Sequence, residues 1–241
     1  MMMLLSSFLL DFQFQQLLQP QFYIENGGLV LLLFVVFAET GLFAGFFLPG
    51  DSLLFVAGIY AHEGANGKLG LAPEFLSWIG MSGYHNEWLS LFILVTLIAL
   101  AGIIGNATGY WFGKKIGPAM YHWKDNLLFK KHYLTQAHDF YEKHGGGAIV
   151  FARFLPIIRT FAPIVAGIVG MDKKKFTFFN VVGSIAWVSS MILGGHFLQQ
   201  WILNQFGFDL KSHLEVIVLG IVVITTAPVI AKLFFGKKKA K

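Results

Sequence analysis

The 241-residue sequence contains no cysteine, and its charged residues make up 13%, against about 25% in a typical soluble domain. Without cysteine there are no disulfides, thiol nucleophiles or cysteine-ligated metals. The sequence also lacks an HExxH zinc motif, a Gly-x-Ser-x-Gly nucleophile motif and a Walker loop. We therefore expect neither an enzyme nor an ATP-driven pump, and neither a metal ion nor another cofactor.

Hydrophobic residues make up 56% of the chain, and the mean hydropathy is +0.64. This composition predicts an all-α polytopic membrane protein with a single domain. Residues 89–112, 176–198 and 214–235 each form an uninterrupted apolar run near the roughly 20 residues that cross a bilayer. Residues 28–60 and 146–171 are apolar too, but proline and glycine interrupt them, which predicts two re-entrant helical hairpins.

The lysines predict how these segments are oriented. Basic residues flank the second hairpin on both sides, since the linker 113–145 precedes it and Lys173 to Lys175 follow it. By the positive-inside rule both ends are cytoplasmic, and so is the lysine-rich C-terminus. Residues 1–27 carry no base, so we expect an interfacial helix outside and a first hairpin that enters from that side.

The predicted result is an inverted repeat of a re-entrant hairpin plus a transmembrane helix, with one further C-terminal transmembrane helix. Secondary transporters are often built this way. The alternative is that both interrupted segments cross the membrane fully. The basic linker 113–145 mixes aromatic residues with lysine, and it is either an ordinary amphipathic connector or a site for anionic lipid. Its lysines lie at the ends of apolar runs, which favours a membrane partner over nucleic acid.

The chain has only two arginines, Arg153 and Arg159, and both lie within the second interrupted segment. Glu39 and Asp51 lie within the first. Four unpaired charges at bilayer depth would cost roughly 10 kcal/mol, so these side chains must face one another, water or a ligand. They could form ion pairs that hold the hairpins together. Because arginine alone offers a planar fork for phosphate, we favour an anion site at the arginines and proton coupling at the two acids.

Five further residues are expected to support this site. Pro49, Gly50, Pro156 and Pro163 break the hairpins, and we expect Pro156 and Pro163 around the tip of the second one. Asn106 belongs to a stripe in which glycine recurs every four residues, and we interpret the stripe as a helix-packing surface. The stripe consists of Gly105, Gly109, Gly113 and Gly117.

Several of these motifs, in this order, resemble the DedA family of bacterial inner-membrane proteins, relatives of the eukaryotic VTT-domain proteins. The motifs are Glu39 with Phe-Leu-Pro-Gly-Asp at 47–51, Gly-Asn-Ala-Thr-Gly-Tyr-Trp-Phe-Gly at 105–113, Phe-Ala-Arg-Phe-Leu-Pro-Ile-Ile-Arg at 151–159 and Ala-Gly at 166–167. Asp51 stands where many members have glutamate, one methylene longer.

The resemblance implies movement of lipids between leaflets of the inner membrane, with undecaprenyl phosphate as the expected substrate and the proton motive force as the driving force. It also implies that Glu39, Asp51, Arg153 and Arg159 are the functional residues. Two other classes stay open, namely a proton-coupled ion or drug antiporter and a scaffold that maintains membrane composition. The sequence does not decide the oligomeric state, and a homo-oligomer stays open as well.

Overall fold

A computed structural model describes residues 20–42, 50–63, 69–81, 86–120, 131–214 and 220. In these ranges the regular elements are helices, with one isolated β-bridge between Glu63 and Leu69 and no strand, so the predicted all-α class is confirmed. Most of the predicted interfacial segment and nearly all of the predicted third span, 214–235, lie outside the described residues.

Eight α-helices and one 3-10 turn form the described part of the chain. In chain order they are α1 (Pro20–Gly41), α2 (Gly50–Ile59), α3 (Leu71–Trp78), α4 (Glu87–Met120), α5 (Lys131–His144), α6 (Gly147–Ala152), α7 (Pro156–Ile168), α8 (Lys173–Phe206) and the 3-10 turn Leu210–His213.

Among the described residues, α4 and α8 are the helices long and apolar enough to cross a membrane, with 34 residues each. They contain the predicted spans 89–112 and 176–198 and extend beyond them. At 1.5 Å per residue each helix is about 50 Å long, so its ends reach past a hydrocarbon core of about 30 Å. Large apolar side chains remain exposed along both helices, as expected for surfaces that face lipid. Examples are Phe92, Ile104, Trp111, Phe178 and Ile185.

The two interrupted regions contain shorter helices, α1 with α2 and α6 with α7. In the second region, α6 ends at Ala152 and α7 begins at Pro156. Leu155 is extended (φ −112°, ψ 107°), which is the conformation that a residue before proline prefers. Proline at the first position of α7 costs nothing, because the N–H it lacks would have no partner inside the helix.

The position expected for Pro163 was wrong. We expected it at the tip of the hairpin, but it lies inside α7, and a side chain at Gly109 of α4 would contact it. A proline inside a helix is tolerated in membrane proteins when neighbouring helices and side chains compensate for the lost hydrogen bond. The break in this region is therefore confined to Arg153, Phe154 and Leu155.

The four short helices pack on the two long ones in a crossed pattern. The helix α1 packs on α4, the long helix that follows it, and α6 packs on α8. The second helix of each pair packs on the other long helix, so that α2 lies against α8 and α7 lies against α4. This exchange joins the two halves of the chain into one body.

Glycine permits the closest of these contacts. A side chain at Gly117 of α4 would meet the carbonyl oxygen of Ile168 in α7, and one at Gly105 would meet the carbonyl oxygen of Phe37 in α1. The predicted packing role of the glycine stripe is confirmed. Helices α2 and α8 approach in the same manner, because Gly58 lies against the backbone of Ile192.

The described part of the linker, α5, is attached to the helical body through Tyr141. Its hydroxyl donates a hydrogen bond to the carbonyl oxygen of Ala162 in α7 at 3.0 Å. Burial raises the pKa of the Tyr141 phenol, so the hydroxyl keeps its proton and remains a donor. Residues 121–130 of the linker lie outside the described ranges, so the choice between connector and lipid site stays a prediction.

Candidate functional site

Arg159 joins the two interrupted regions. Its guanidinium donates one hydrogen bond through Nη2 to Glu39, near the end of α1, and another through Nη1 to Asp51, in the first turn of α2. Arg159 and Glu39 are 8% and 2% exposed. The planar fork of arginine explains how one side chain reaches two carboxylates on different helices at once.

Trp187 of α8 completes this ion cluster. Its indole Nε1 donates a hydrogen bond to Oδ1 of Asp51 at 2.9 Å, and its ring lies 5.1 Å from the guanidinium carbon of Arg159. A cation over an indole ring is attracted by the ring quadrupole. Trp187 therefore contacts both the acid and the base of the pair, and it is a member of the cluster that our sequence analysis missed.

Gly50 makes room for Glu39. A methyl group at Gly50 would coincide with the carboxylate of Glu39, so any larger residue there forces the acid away from Arg159. One carboxylate oxygen of Glu39, Oε2, is buried and has no hydrogen-bond partner among the described residues. A buried oxygen without a donor is a place where a proton can bind.

Arg153 lies in a different environment from Arg159. It follows α6, is 4% exposed, and none of the described acids forms a salt bridge with it. Its Nη2 donates hydrogen bonds to the side-chain and backbone oxygens of Asn180 in α8, the latter at 3.3 Å. Both partners are neutral, so the positive charge of Arg153 is held but not compensated.

Asn180 is the centre of a small polar network. Its side-chain oxygen also accepts a hydrogen bond from Nδ2 of Asn106 at 3.0 Å, and its own Nδ2 donates to the carbonyl oxygen of Ile103 at 3.1 Å. Asn106 and Ile103 both belong to α4, so the network connects the two long helices at Arg153. Asn106, which we predicted to support the site, is thus connected to Arg153 through Asn180.

The two arginine environments follow one face of α8. Asn180, Ser184 and Trp187 are spaced at i, i+4 and i+7, which places them on the same side of the helix. Seven residues correspond to a rise of about 10 Å, so the contacts of Arg153 and Arg159 on α8 are separated by roughly that length. Between them, the hydroxyl of Ser184 is fully buried and has no hydrogen-bond partner among the described residues.

Of the predicted site residues, the structure joins Glu39, Asp51 and Arg159, whereas the hydrogen bonds of Arg153 go to Asn180. Pro49 lies outside the described residues, and Gly50 borders Glu39. Sequence reasoning missed Asn180, Ser184 and Trp187. Polar residues spaced along one face of an otherwise apolar span were the available signal for Asn180 and Ser184. In the described ranges, no group of three histidines and acids lies close enough to hold a metal ion.

Comparison with known proteins relates the chain to a family of membrane proteins. The VTT domain model matches residues 48–197. The chain is 34% identical to Protein DedA of Escherichia coli over 87% of its length and 84% of that protein. It is 32% identical to an uncharacterized membrane protein of Mycobacterium leprae over 91% of its length and 88% of the relative.

Identity to the inner membrane protein YqjA of Escherichia coli is 32%, over 71% of this chain and 68% of that protein. No solved structure matches the chain. The Mycobacterium leprae relative and YqjA are named as membrane and inner membrane proteins, in agreement with the two long apolar helices. The domain match covers more than half of the chain and the relatives cover most of it, so this protein belongs to the VTT-domain family of DedA proteins.

Proposed function

We propose that this protein is a lipid translocase that moves an anionic carrier lipid, undecaprenyl phosphate, across the bacterial inner membrane. The proposal includes coupling to the proton motive force and no enzymatic reaction. Arg153 and Arg159 bind the phosphate, and Glu39 and Asp51 exchange protons. The partners are therefore a lipid phosphate and protons, and no nucleic acid is involved.

The observation that carries this proposal is the uncompensated charge of Arg153. A guanidinium buried in a membrane protein is costly unless an anion accompanies it. None of the described acids pairs with Arg153, and its hydrogen-bond partners are the neutral oxygens of Asn180. A phosphate group that enters from the lipid phase supplies the missing negative charge and accepts bidentate hydrogen bonds.

The ion cluster at Arg159 supports the proton coupling. Two carboxylates share one guanidinium, so the cluster carries an excess negative charge when both acids are ionised. A proton on either acid removes that excess. Protonation also releases part of the hold on Arg159, and the freed donors can then bind phosphate. Proton uptake by the acids would thus favour binding of the lipid phosphate at the same guanidinium.

The crossed packing supports the proposed inverted repeat. In each half of the chain, a pair of short helices precedes a long one, and the second short helix crosses to the long helix of the other half. We propose that each pair is a re-entrant hairpin and that the two enter from opposite sides. The positive-inside rule then places the C-terminus and the basic linker in the cytoplasm.

A proton-coupled ion or drug antiporter is the second candidate, because the cluster of Glu39, Asp51 and Arg159 would serve proton exchange with any cargo. Purified protein in liposomes separates the two functions. Under an imposed pH gradient we expect a labelled lipid phosphate to change leaflets, whereas drugs and monovalent cations should leave the gradient intact. Dissipation of the gradient by a drug, with the lipid immobile, would favour the antiporter, and neither response would favour a scaffold.

A further inference from the structure

Asn180 has two features that bear on the charge of Arg153. Its side-chain oxygen faces a buried arginine, and its orientation is fixed by hydrogen bonds with Arg153 and with Asn106 and Ile103 of α4. A buried arginine is ordinarily paired with an acid, because an uncompensated charge in a low-dielectric interior is costly. An aspartate has almost the same shape as asparagine and would have compensated Arg153 completely.

The network determines which atom of the amide faces Arg153. The nitrogen Nδ2 of Asn180 donates to the carbonyl oxygen of Ile103 at 3.1 Å, so the oxygen must point the other way, toward Arg153 and Asn106. An aspartate could not donate to Ile103, and its second oxygen would face that carbonyl. The three contacts together therefore require an amide and not a carboxylate.

The arginine held in this way keeps binding capacity. Its Nε is buried and has no partner among the described residues, and its side chain lies against Gly183, where any added side chain would collide with it. Arg159 likewise has a buried Nε without a partner among the described residues, but both of its terminal nitrogens bind carboxylates. In this structure Arg153, unlike Arg159, can bind an anion without first breaking a salt bridge to an acid.

We propose that Asn180 is a positioning residue that fixes Arg153 through a neutral oxygen, so that Arg153 forms the first binding site for a phosphate monoester. Ser184 and then the Arg159 cluster lie further along the same face of α8. The cluster contacts α8 at Trp187, which is a rise of about 10 Å from Asn180. The inference rests on the proposed function for its ligand class. The phosphate is either the headgroup of a lipid or free phosphate, and the two share this chemistry.

The test replaces Asn180 by aspartate in the full-length protein. Binding is measured as thermal stabilisation by a short-chain isoprenyl phosphate, by inorganic phosphate and by a zwitterionic lipid as the uncharged reference. We expect Asn180→Asp to fold with a Tm close to that of the wild type, because the ion pair that Arg153 gains offsets the hydrogen bond to Ile103 that is lost. We expect it to bind the isoprenyl phosphate about 10- to 100-fold more weakly than the wild type, the effect of losing one charge-assisted contact.

Two control variants exclude a purely structural role. Thr177→Ala changes an exposed residue of α8 near Asn180 that belongs to no part of the site, and it should bind the isoprenyl phosphate within a few-fold of the wild type. Asn180→Ala removes the contact without adding charge and should lower the Tm. If Asn180 is merely structural, Asn180→Asp binds as the wild type does and Asn180→Ala is the impaired variant, which would overturn the inference.

The remaining outcomes separate this inference from the proposed function. Binding of the isoprenyl phosphate but not of inorganic phosphate identifies the lipid headgroup as the ligand, and binding of both identifies a general phosphate site. A wild-type protein that binds the isoprenyl phosphate but does not move it between leaflets contradicts the proposed function alone. A wild-type protein that binds neither phosphate contradicts the inference.

Discussion

Replacement of Arg159 by lysine tests how much the protein depends on the planar fork. In the structure, Nη1 binds Asp51, Nη2 binds Glu39, and the guanidinium lies over the ring of Trp187. A lysine ammonium keeps the charge but is a single point on a flexible stem. It can approach one carboxylate closely, and the other acid then remains buried without its partner.

The magnitude follows from those contacts. A hydrogen bond to a charged group contributes about 1.5–3 kcal/mol, and a cation over an aromatic ring contributes about 0.5–2 kcal/mol. Loss of one such bond and part of the ring contact should lower the free energy of unfolding by about 2–4 kcal/mol. The same loss uncouples the two interrupted regions that Arg159 joins, so we expect lipid transport to fall at least ten-fold.

Thermal unfolding in detergent and transport in liposomes are the two measurements for Arg159→Lys. The matched control for the unfolding measurement is Arg153→Lys, because the partners of Arg153 are neutral and no acid is left unpaired when it changes. We expect a clearly smaller loss of stability in the control. Equal Tm values for wild type and Arg159→Lys, together with full transport, would show that the fork is not needed and refute this reasoning.

Three further predictions concern the acids, the glycine beside them and the hairpin. Glu39→Gln and Asp51→Asn should insert normally but lose transport and its pH dependence; wild-type rates and pH profile in both would exclude proton coupling at this cluster. Gly50→Ala should displace the Glu39 carboxylate and reduce transport at least as much as Glu39→Gln, and an unimpaired variant would contradict the observed contact. Cysteines introduced at Lys143 and Lys174 of this cysteine-free chain should both react only with cytoplasmic reagent, whereas reaction from opposite sides would make the second hairpin a full span.

Local composition was sufficient to predict the two long helices and the interruptions, but it did not predict α3. Apolar runs specify where α4 and α8 are able to cross a membrane, and Pro156 specifies where α7 begins. Each of these features depends on the residue types within a short window of sequence. A short window does not show how far a helix continues past the apolar run, so the predicted lengths of both long helices were too small. It also does not reveal that neighbouring helices compensate for the hydrogen bond that Pro163 cannot make. Pro163 was therefore assigned to the tip of the predicted hairpin.

The pairing inside the site was beyond prediction from local sequence. Rarity and chemistry singled out Arg153 and Arg159 as a pair, since they are the only two arginines. Their separation into an ion-paired arginine and an uncompensated one depends on residues far away in the chain, namely Glu39 and Asn180. Trp187 could not be predicted, because tryptophan in an apolar span is common and the sequence does not identify its hydrogen-bond partner.

The measurement that tests the central claim most directly is the initial rate at which a labelled isoprenyl phosphate changes leaflets in liposomes that contain wild-type protein or Arg153→Lys. Both proteins are first shown to have similar Tm values, so that folding does not confound the rates. We predict rapid movement with the wild type and a rate at least ten-fold lower with Arg153→Lys, because lysine cannot grip phosphate bidentately. Equal rates for the two proteins would show that Arg153 is not the phosphate-binding residue, and no movement with the wild type would contradict lipid translocation itself.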